Sequence, residues 1–146
     1  MQLNFKVYKF NLKNQNGNAQ IFDIIRKKYV ALTPEEWVRQ HVIWYLKEEL
    51  NISKGLIAVE KELKYNNLTK RFDLVVMNPL AEPLLLVECK APSVAITQST
   101  VQQAGIYLKT IRAPFVMLTN GLTHIYLQLN TENMQYEFIK ALPELR

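Results

Sequence analysis

Apolar and polar residues alternate from Leu3 to Leu12, which puts Tyr8, Phe10 and Leu12 on one side of an extended chain running into Asn16-Gly17. Asn-Gly accepts φ > 0 at both central positions of a type I′ turn, so a β-hairpin is expected at the N-terminus. Residues 19 to about 32 fit a returning strand or a short helix, and the pattern does not choose between them. At Thr33 the period changes. Thr33-Pro34-Glu35-Glu36 supplies an N-cap, a proline at the first helical position and an acid three residues after the cap; Val38, Val42, Tyr45, Leu46 and Leu50 then form one apolar stripe. An amphipathic helix ending near Asn51 is predicted.

Beyond Gly55, Leu56 to Tyr65 alternates as a strand does, and Asn66-Asn67 offers turn chemistry. Phe72 to Met77 and Leu84 to Cys89 are Val- and Leu-rich runs separated by Asn-Pro-Leu-Ala-Glu-Pro, the two arms of a hairpin. Val101, Ala104, Leu108 and Ile111 form the stripe of a second helix over about Thr97 to Ile111, closed by Pro114. Phe115 to Thr119 and Leu122 to Leu129 bracket Asn120-Gly121 as another hairpin, with Gln135 to Ile139 as a last strand. Helices interleaved with strands, some apolar on both faces, define an α/β fold.

Composition narrows the class. The chain has 146 residues, no internal repeat, and no Pro/Gly/Ser-rich linker, which describes one domain over residues 1–146 with 1–22 as an N-terminal strand extension. A single Cys excludes a disulfide scaffold or a multi-Cys zinc site within the chain. Apolar runs such as Leu84 to Val87 and Phe115 to Leu118 are four residues long, far below the roughly 18 of a membrane span. Met-Gln-Leu-Asn-Phe-Lys lacks an apolar signal core, so a cytoplasmic protein without a membrane role is the expectation. There is no GxxxxGK[ST] and no GxGxxG, which argues against nucleotide-driven or dehydrogenase chemistry. A net charge of +5 favours an anionic partner such as nucleic acid without locating it.

The central hairpin carries the chemistry. With a symmetric loop, Met77 faces Leu84, Val75 faces Leu86, Asp73 faces Glu88 and Arg71 faces Lys90. These eight share one face, and Phe72, Leu74, Val76, Leu85, Val87 and Cys89 share the other. Directly opposed side chains stand ~4.5–5.5 Å apart at Cβ, where two carboxylates repel and need a compensating cation. Two carboxylates with several waters suit Mg²⁺, and Lys90 beside Glu88 can orient a water or offset charge on a phosphate. The alternative is a pair of diagonal salt bridges, Arg71 with Glu88 and Asp73 with Lys90, and no metal.

Asp73, then Glu88-Cys89-Lys90, resembles the D-x(n)-E-x-K core of the PD-(D/E)xK nuclease superfamily, with Phe72 in place of the nominal proline. Gln103 and Tyr107 resemble the Q-x-x-x-Y element of the RecB-type branch. Leu32 to Gln40, Arg71 to Val76, Leu86 to Pro92 and Leu118 to Gly121 look like the N-terminal nuclease domain of type I restriction enzyme R subunits, a match over about residues 20 to 130. The resemblance implies a restriction-endonuclease-like core, a mixed central sheet flanked by helices, with the N-terminal hairpin as an addition. It implies Mg²⁺, with Mn²⁺ as substitute, held by Asp73, Glu88 and the main-chain carbonyl of Cys89, with Lys90 as the catalytic lysine. It implies DNA and the subunits of a restriction or defence complex as partners. R subunits continue into an ATP-driven translocase, whereas this sequence stops at Arg146, so the likeness is to the nuclease module.

Other residues carry two readings each. Glu36 is either an acid near the metal or the N3 member of a capping box, bonding back to the Thr33 N–H. Glu60 either reaches the site or lines a solvated strand face. Gln103 lies near metal or phosphate, or on the flank of a packed helix; Tyr107 contacts nucleic acid or covers the sheet edge. Arg39 and Arg71 are candidate phosphate contacts. His41 and His124 stand alone and read as structural, Cys89 as a small buried hydrophobe, and Trp37 and Trp44 as packing residues. The function expected is a metal-dependent nuclease module; the alternative is an inactive module that keeps the fold and binds DNA or a partner.

Overall fold

The computed structural model describes residues 1–145. A small antiparallel sheet comes first, in the order β1 (Leu12–Gln15), β2 (Asn18–Asp23), β3 (Lys28–Ala31). Helix α1 (Pro34–Glu48) follows, then a short turn of 3-10 helix at Lys54–Leu56. The six-stranded sheet takes β4 (Ile57–Tyr65), β5 (Leu68–Met77), β6 (Pro83–Cys89), β7 (Phe115–Thr119), β8 (His124–Asn130) and β9 (Gln135–Ile139) in spatial order. Helix α2 (Gln98–Leu108) crosses over from β6 to β7, which is the one parallel pair among the described strands. The molecule is therefore the mixed α/β sheet with flanking helices that the sequence predicts.

Each side of the sheet has its own core. Val38, Val42, Ile43 and Leu46 of α1 pack with Leu74, Val76, Leu85, Val87 and Cys89. Ala104 and Leu108 of α2, with Ile111, pack with Phe72, Val75, Leu86, Val116 and Leu118 on the opposite side. Strands β6 and β7 are apolar on both faces because both faces are covered, and each side chain so buried contributes roughly 1.5–3 kcal/mol.

Four expectations are corrected. The N-terminal hairpin forms about Asn16-Gly17 as β1–β2, but β3 adds a third strand to it, so the sheet runs past the expected limit of 1–22. The alternating stretch 3–12 is not a strand: its aromatic side chains cover the outer face of α1, with Tyr8 stacked on Trp44 at 6.0 Å and Phe10 against Trp37 at 5.0 Å. Met77 pairs with Pro83 rather than Leu84, because the register shifts by one residue after the Val76–Leu85 pair. Phe72 packs on the α2 side, not with Leu74. The β4–β5 ladder pairs Val59 with Leu74 and Lys61 with Phe72 but skips Glu60 and Asp73, and Glu60 takes φ +54°. That interruption resets the alternation at the residue on which the chemistry depends.

Candidate active site

Strand β6 carries Glu88 at its end and β5 carries Asp73 where its pairing is interrupted, so the two carboxylates meet at one rim of the sheet. They interlock through the backbone. The Cys89 N–H donates to Asp73 Oδ2 at 2.7 Å, and the Asp73 N–H donates to Glu88 Oε1 at 3.3 Å. Their side chains are 19% and 18% exposed, enclosed yet reachable from solvent.

Each carboxylate also meets a cation, though neither of those the sequence suggested. Arg39 Nη1 stands 3.5 Å from Asp73 Oδ1, and Lys70 Nζ stands 3.3 Å from Glu88 Oε2. These contacts are long for charge-assisted hydrogen bonds, which close to about 2.7–2.9 Å. Burial accordingly still raises the Asp73 pKa, against the Cys89 N–H and the charges of Arg39, Lys70 and Lys90. Burial and then the charge of Asp73 raise that of Glu88, against Lys70. The pair is thus undercompensated by the cations that face it.

Arg39 has a second, tighter partner. Its Nε and Nη2 grip Glu36 at 2.9 and 2.6 Å, a bidentate fork, while Nη2 stands 3.5 Å from Glu60 Oε1. Glu36 also accepts from Arg26 Nη2 at 2.9 Å and Gln40 Nε2 at 3.1 Å. Burial alone would raise the Glu36 pKa; the hydrogen bonds from Arg39, Gln40 and Arg26 bring it to about 2. Asp23, fully buried at the end of β2, accepts from Arg26 Nε at 2.7 Å and Gln40 Nε2 at 2.9 Å. One chain of charged bonds therefore runs Asp23, Arg26, Glu36, Arg39, Asp73.

The predicted residues sort as follows. Asp73, Glu88 and the Cys89 backbone converge. Lys90 follows directly, its N–H held by the Thr119 carbonyl at 2.8 Å and its side chain exposed and unpaired among the described residues. Glu36 caps α1 only in half: its N–H donates to Thr33 Oγ1 at 3.0 Å, but its carboxylate serves the arginines and reaches Asp73 through Arg39. Arg39 is buried in that network rather than presented to a phosphate. Arg71 is 65% exposed and pairs with Glu62 at 3.7 Å, away from the carboxylates, because the reset at Asp73 turns it out toward β4. Gln103 is exposed on α2 with no side-chain partner among the described residues. Tyr107 is half-buried, edge-on to Phe72, with Lys70 Nζ 5.1 Å from its ring, so it touches the site through Lys70.

His41 and His124 are structural: His41 Nδ1 bonds the Trp37 carbonyl at 2.8 Å, and His124 bridges Thr119 and Asn4 at 2.7 Å each. The Cys89 thiol is buried and its pKa raised by desolvation, so it is inert. The sequence reading missed Lys70, Asp23, Arg26 and Gln40. The charges of Asp23 and Arg26 inside an otherwise unassigned stretch were the one available signal.

No group of three His, Cys, Asp or Glu side chains converges among the described residues. The donor set shown is two carboxylates, and Mg²⁺ takes one or two protein carboxylates and keeps several waters, so the residues present fit that ion.

The chain belongs to the family of type I restriction enzyme R protein N termini, whose model matches residues 34–143. It is a restriction-enzyme-related module. A solved fragment assigned to an HsdR subunit of a type I restriction enzyme from Vibrio vulnificus YJ016 is 23% identical, with a TM-score of 0.49. The alignment covers 77% of this chain and 24% of that one. No curated protein matches. No helix among the described residues is long and apolar enough to cross a membrane.

Proposed function

We propose that this chain is a metal-dependent nuclease module that hydrolyses phosphodiester bonds in DNA, acting in the cytoplasm with the subunits of a restriction or defence complex. The observation that carries the reading is the interlocked pair Asp73 and Glu88, undercompensated at a solvent-reachable rim and followed at once by an unpaired Lys90.

Asp73, Glu88 and the Cys89 carbonyl would hold Mg²⁺. The ion, when bound, supplies Lewis-acid polarisation of a phosphoryl oxygen and acidifies a water. Lys90 orients that water or offsets the charge that builds on the phosphorane-like transition state. Water adds to phosphorus, one P–O ester bond breaks, and the leaving oxygen takes a proton from solvent. Arg39, held by Glu36, fixes the Asp73 carboxylate without touching substrate, which makes both positioning residues.

A second reading rests on Arg39 and Lys70 facing the two carboxylates: a module whose site is closed by its own cations and which only binds DNA or a partner. Plasmid and linear DNA incubated at low salt with Mg²⁺ or Mn²⁺ separate the two. Cleavage by the unmodified chain, lost in both Asp73→Ala and Lys90→Ala, supports the nuclease. DNA binding without cleavage, and no heat with millimolar metal, supports the second reading.

A further inference from the structure

The positive charge of the chain is not spread over it. Residues 1–33 hold six of the 18 basic residues and one of the 13 acidic ones, a balance of +5; the remaining 113 residues hold twelve of each and are neutral. The charged part lies outside the family match at 34–143 and comprises the segment 1–11 laid on α1 and the sheet β1–β2–β3.

Two of its six cations are committed. Arg26 is bound to Asp23 and Glu36, and Lys6 pairs with Glu49 at 2.9 Å. Four remain exposed. Lys9, Lys27 and Lys28 have no ion-pair partner among the described residues, and Lys13 rests its ammonium 4.1 Å above the Tyr29 ring, where it stays open to solvent. In the body of the molecule Lys64 and Arg71 share Glu62 and Lys47 pairs with Glu48, and the exposed cations without an ion pair among the described residues, such as Lys54, Lys61, Lys109 and Lys140, are offset by an equal number of acids over the body as a whole.

The placement is as telling as the charge. The turn between β2 and β3 puts Arg26 inward, into the bonds that lead through Glu36 and Arg39 to Asp73, and Lys27 and Lys28 outward. Asp23 anchors that turn, accepting the Ile25 and Arg26 N–H groups at 2.7 Å each. Two free cations, Lys27 in the turn and Lys28 at the start of β3, therefore sit beside a turn bonded through Arg26, Glu36 and Arg39 to the carboxylate rim.

We infer that the N-terminal unit, residues 1–33, is the DNA-docking element of this chain, with the exposed Lys9, Lys13, Lys27 and Lys28 as the cations that meet the phosphates of a duplex. The inference rests on the nuclease reading only for the choice of DNA. A polyanion is what such a patch complements, and a duplex offers one charge per ~1.7 Å of axis. Side chains of this kind position without reading sequence.

The test is fluorescence anisotropy with a 30-base-pair DNA duplex in EDTA, from 50 to 200 mM salt, so that cleavage plays no part. The variant Lys9→Gln, Lys13→Gln, Lys27→Gln, Lys28→Gln is compared with a control of equal charge loss in the neutral body: Lys54→Gln, Lys61→Gln, Lys109→Gln, Lys140→Gln. All eight positions are exposed. The first set is expected to weaken binding about tenfold or more and to flatten the salt dependence by up to about 3.6 in log–log slope, at roughly 0.9 per phosphate contact. The control should bind nearly as the unmodified chain does. Equal losses in both variants, no loss in the first, or tighter binding of a duplex RNA of the same sequence overturns the inference. In a parallel incubation with Mg²⁺ in place of EDTA, absence of cleavage by the unmodified chain, with binding still lost in the first variant, sinks the nuclease reading and leaves the docking surface standing. Thermal melting of both variants verifies folding; if the quadruple variant does not fold, the pair Lys27→Gln, Lys28→Gln alone must weaken binding and lower the slope by one or more.

Discussion

Arg39 holds Glu36 with two nitrogens and turns its third toward Asp73 at 3.5 Å, so an acid in the first turn of α1 and the candidate metal ligand share one guanidinium. Only a planar fork serves two carboxylates in this way; an ammonium has no such geometry. Arg39→Ala leaves Glu36 buried with less compensation and should cost about 3–5 kcal/mol in urea unfolding. Arg39→Lys should recover part of that stability but little DNA cleavage. Full cleavage by Arg39→Lys would show that Asp73 needs no positioning from this side.

The site should cost the fold stability. Glu88 is desolvated beside a like charge, so Glu88→Gln should raise unfolding stability by about 1 kcal/mol while removing the heat of Mg²⁺ binding. A Glu88→Gln protein less stable than its parent would mean that Lys70 already neutralises the carboxylate.

Acid should act in two stages. Asp73 and Glu88 have raised pKa values, so their cost when ionised lifts as pH falls through those values, and stability should climb on mild acidification from pH 7. Glu36 is depressed to about 2 from 4.5, so its contribution is complete above pH 4.5 and is lost as pH falls toward 2. In Glu36→Gln the low-pH loss should shrink while the first rise remains. Denaturant midpoints measured at each pH in both proteins would show this; parallel curves would contradict it.

Gly121 closes the β7–β8 turn at φ +87°, and a Cβ there would stand 2.9 Å from Leu3 Cδ1 and 3.1 Å from Val38 Cγ2. Gly121→Ala should lose about 2 kcal/mol, from the left-handed backbone and from the displaced Leu3. A melting temperature unchanged by the substitution would argue that the N-terminal segment is not seated on this turn.

What the sequence made legible was local. Thr33-Pro34 marks the start of α1, Asn120-Gly121 marks the β7–β8 turn, and the Val75–Leu86 pairing follows from symmetric arms. What stayed hidden depends on the interruption at Glu60 and Asp73. Strict alternation sends Lys70 and Phe72 to the α1 side; the reset sends them to the α2 side, where Lys70 meets Glu88 and lies 5.5 Å from the Phe72 ring. Alternation carries no signal for a left-handed Glu60. The docking of Tyr8 and Phe10 on α1 is likewise a tertiary choice, since an alternating stretch covers a helix as readily as it joins a sheet. Arg26 and Asp23 were obscured because their stretch fitted two elements.

A crystal soaked in manganese tests the central claim most directly. The account predicts one anomalous peak between Asp73 and Glu88, with oxygen ligands at about 2.0–2.2 Å, Lys70 drawn back from Glu88 and Arg39 still holding the Asp73 carboxylate from the α1 side. Density in which Lys70 still faces Glu88, with no peak between the two carboxylates, would contradict it.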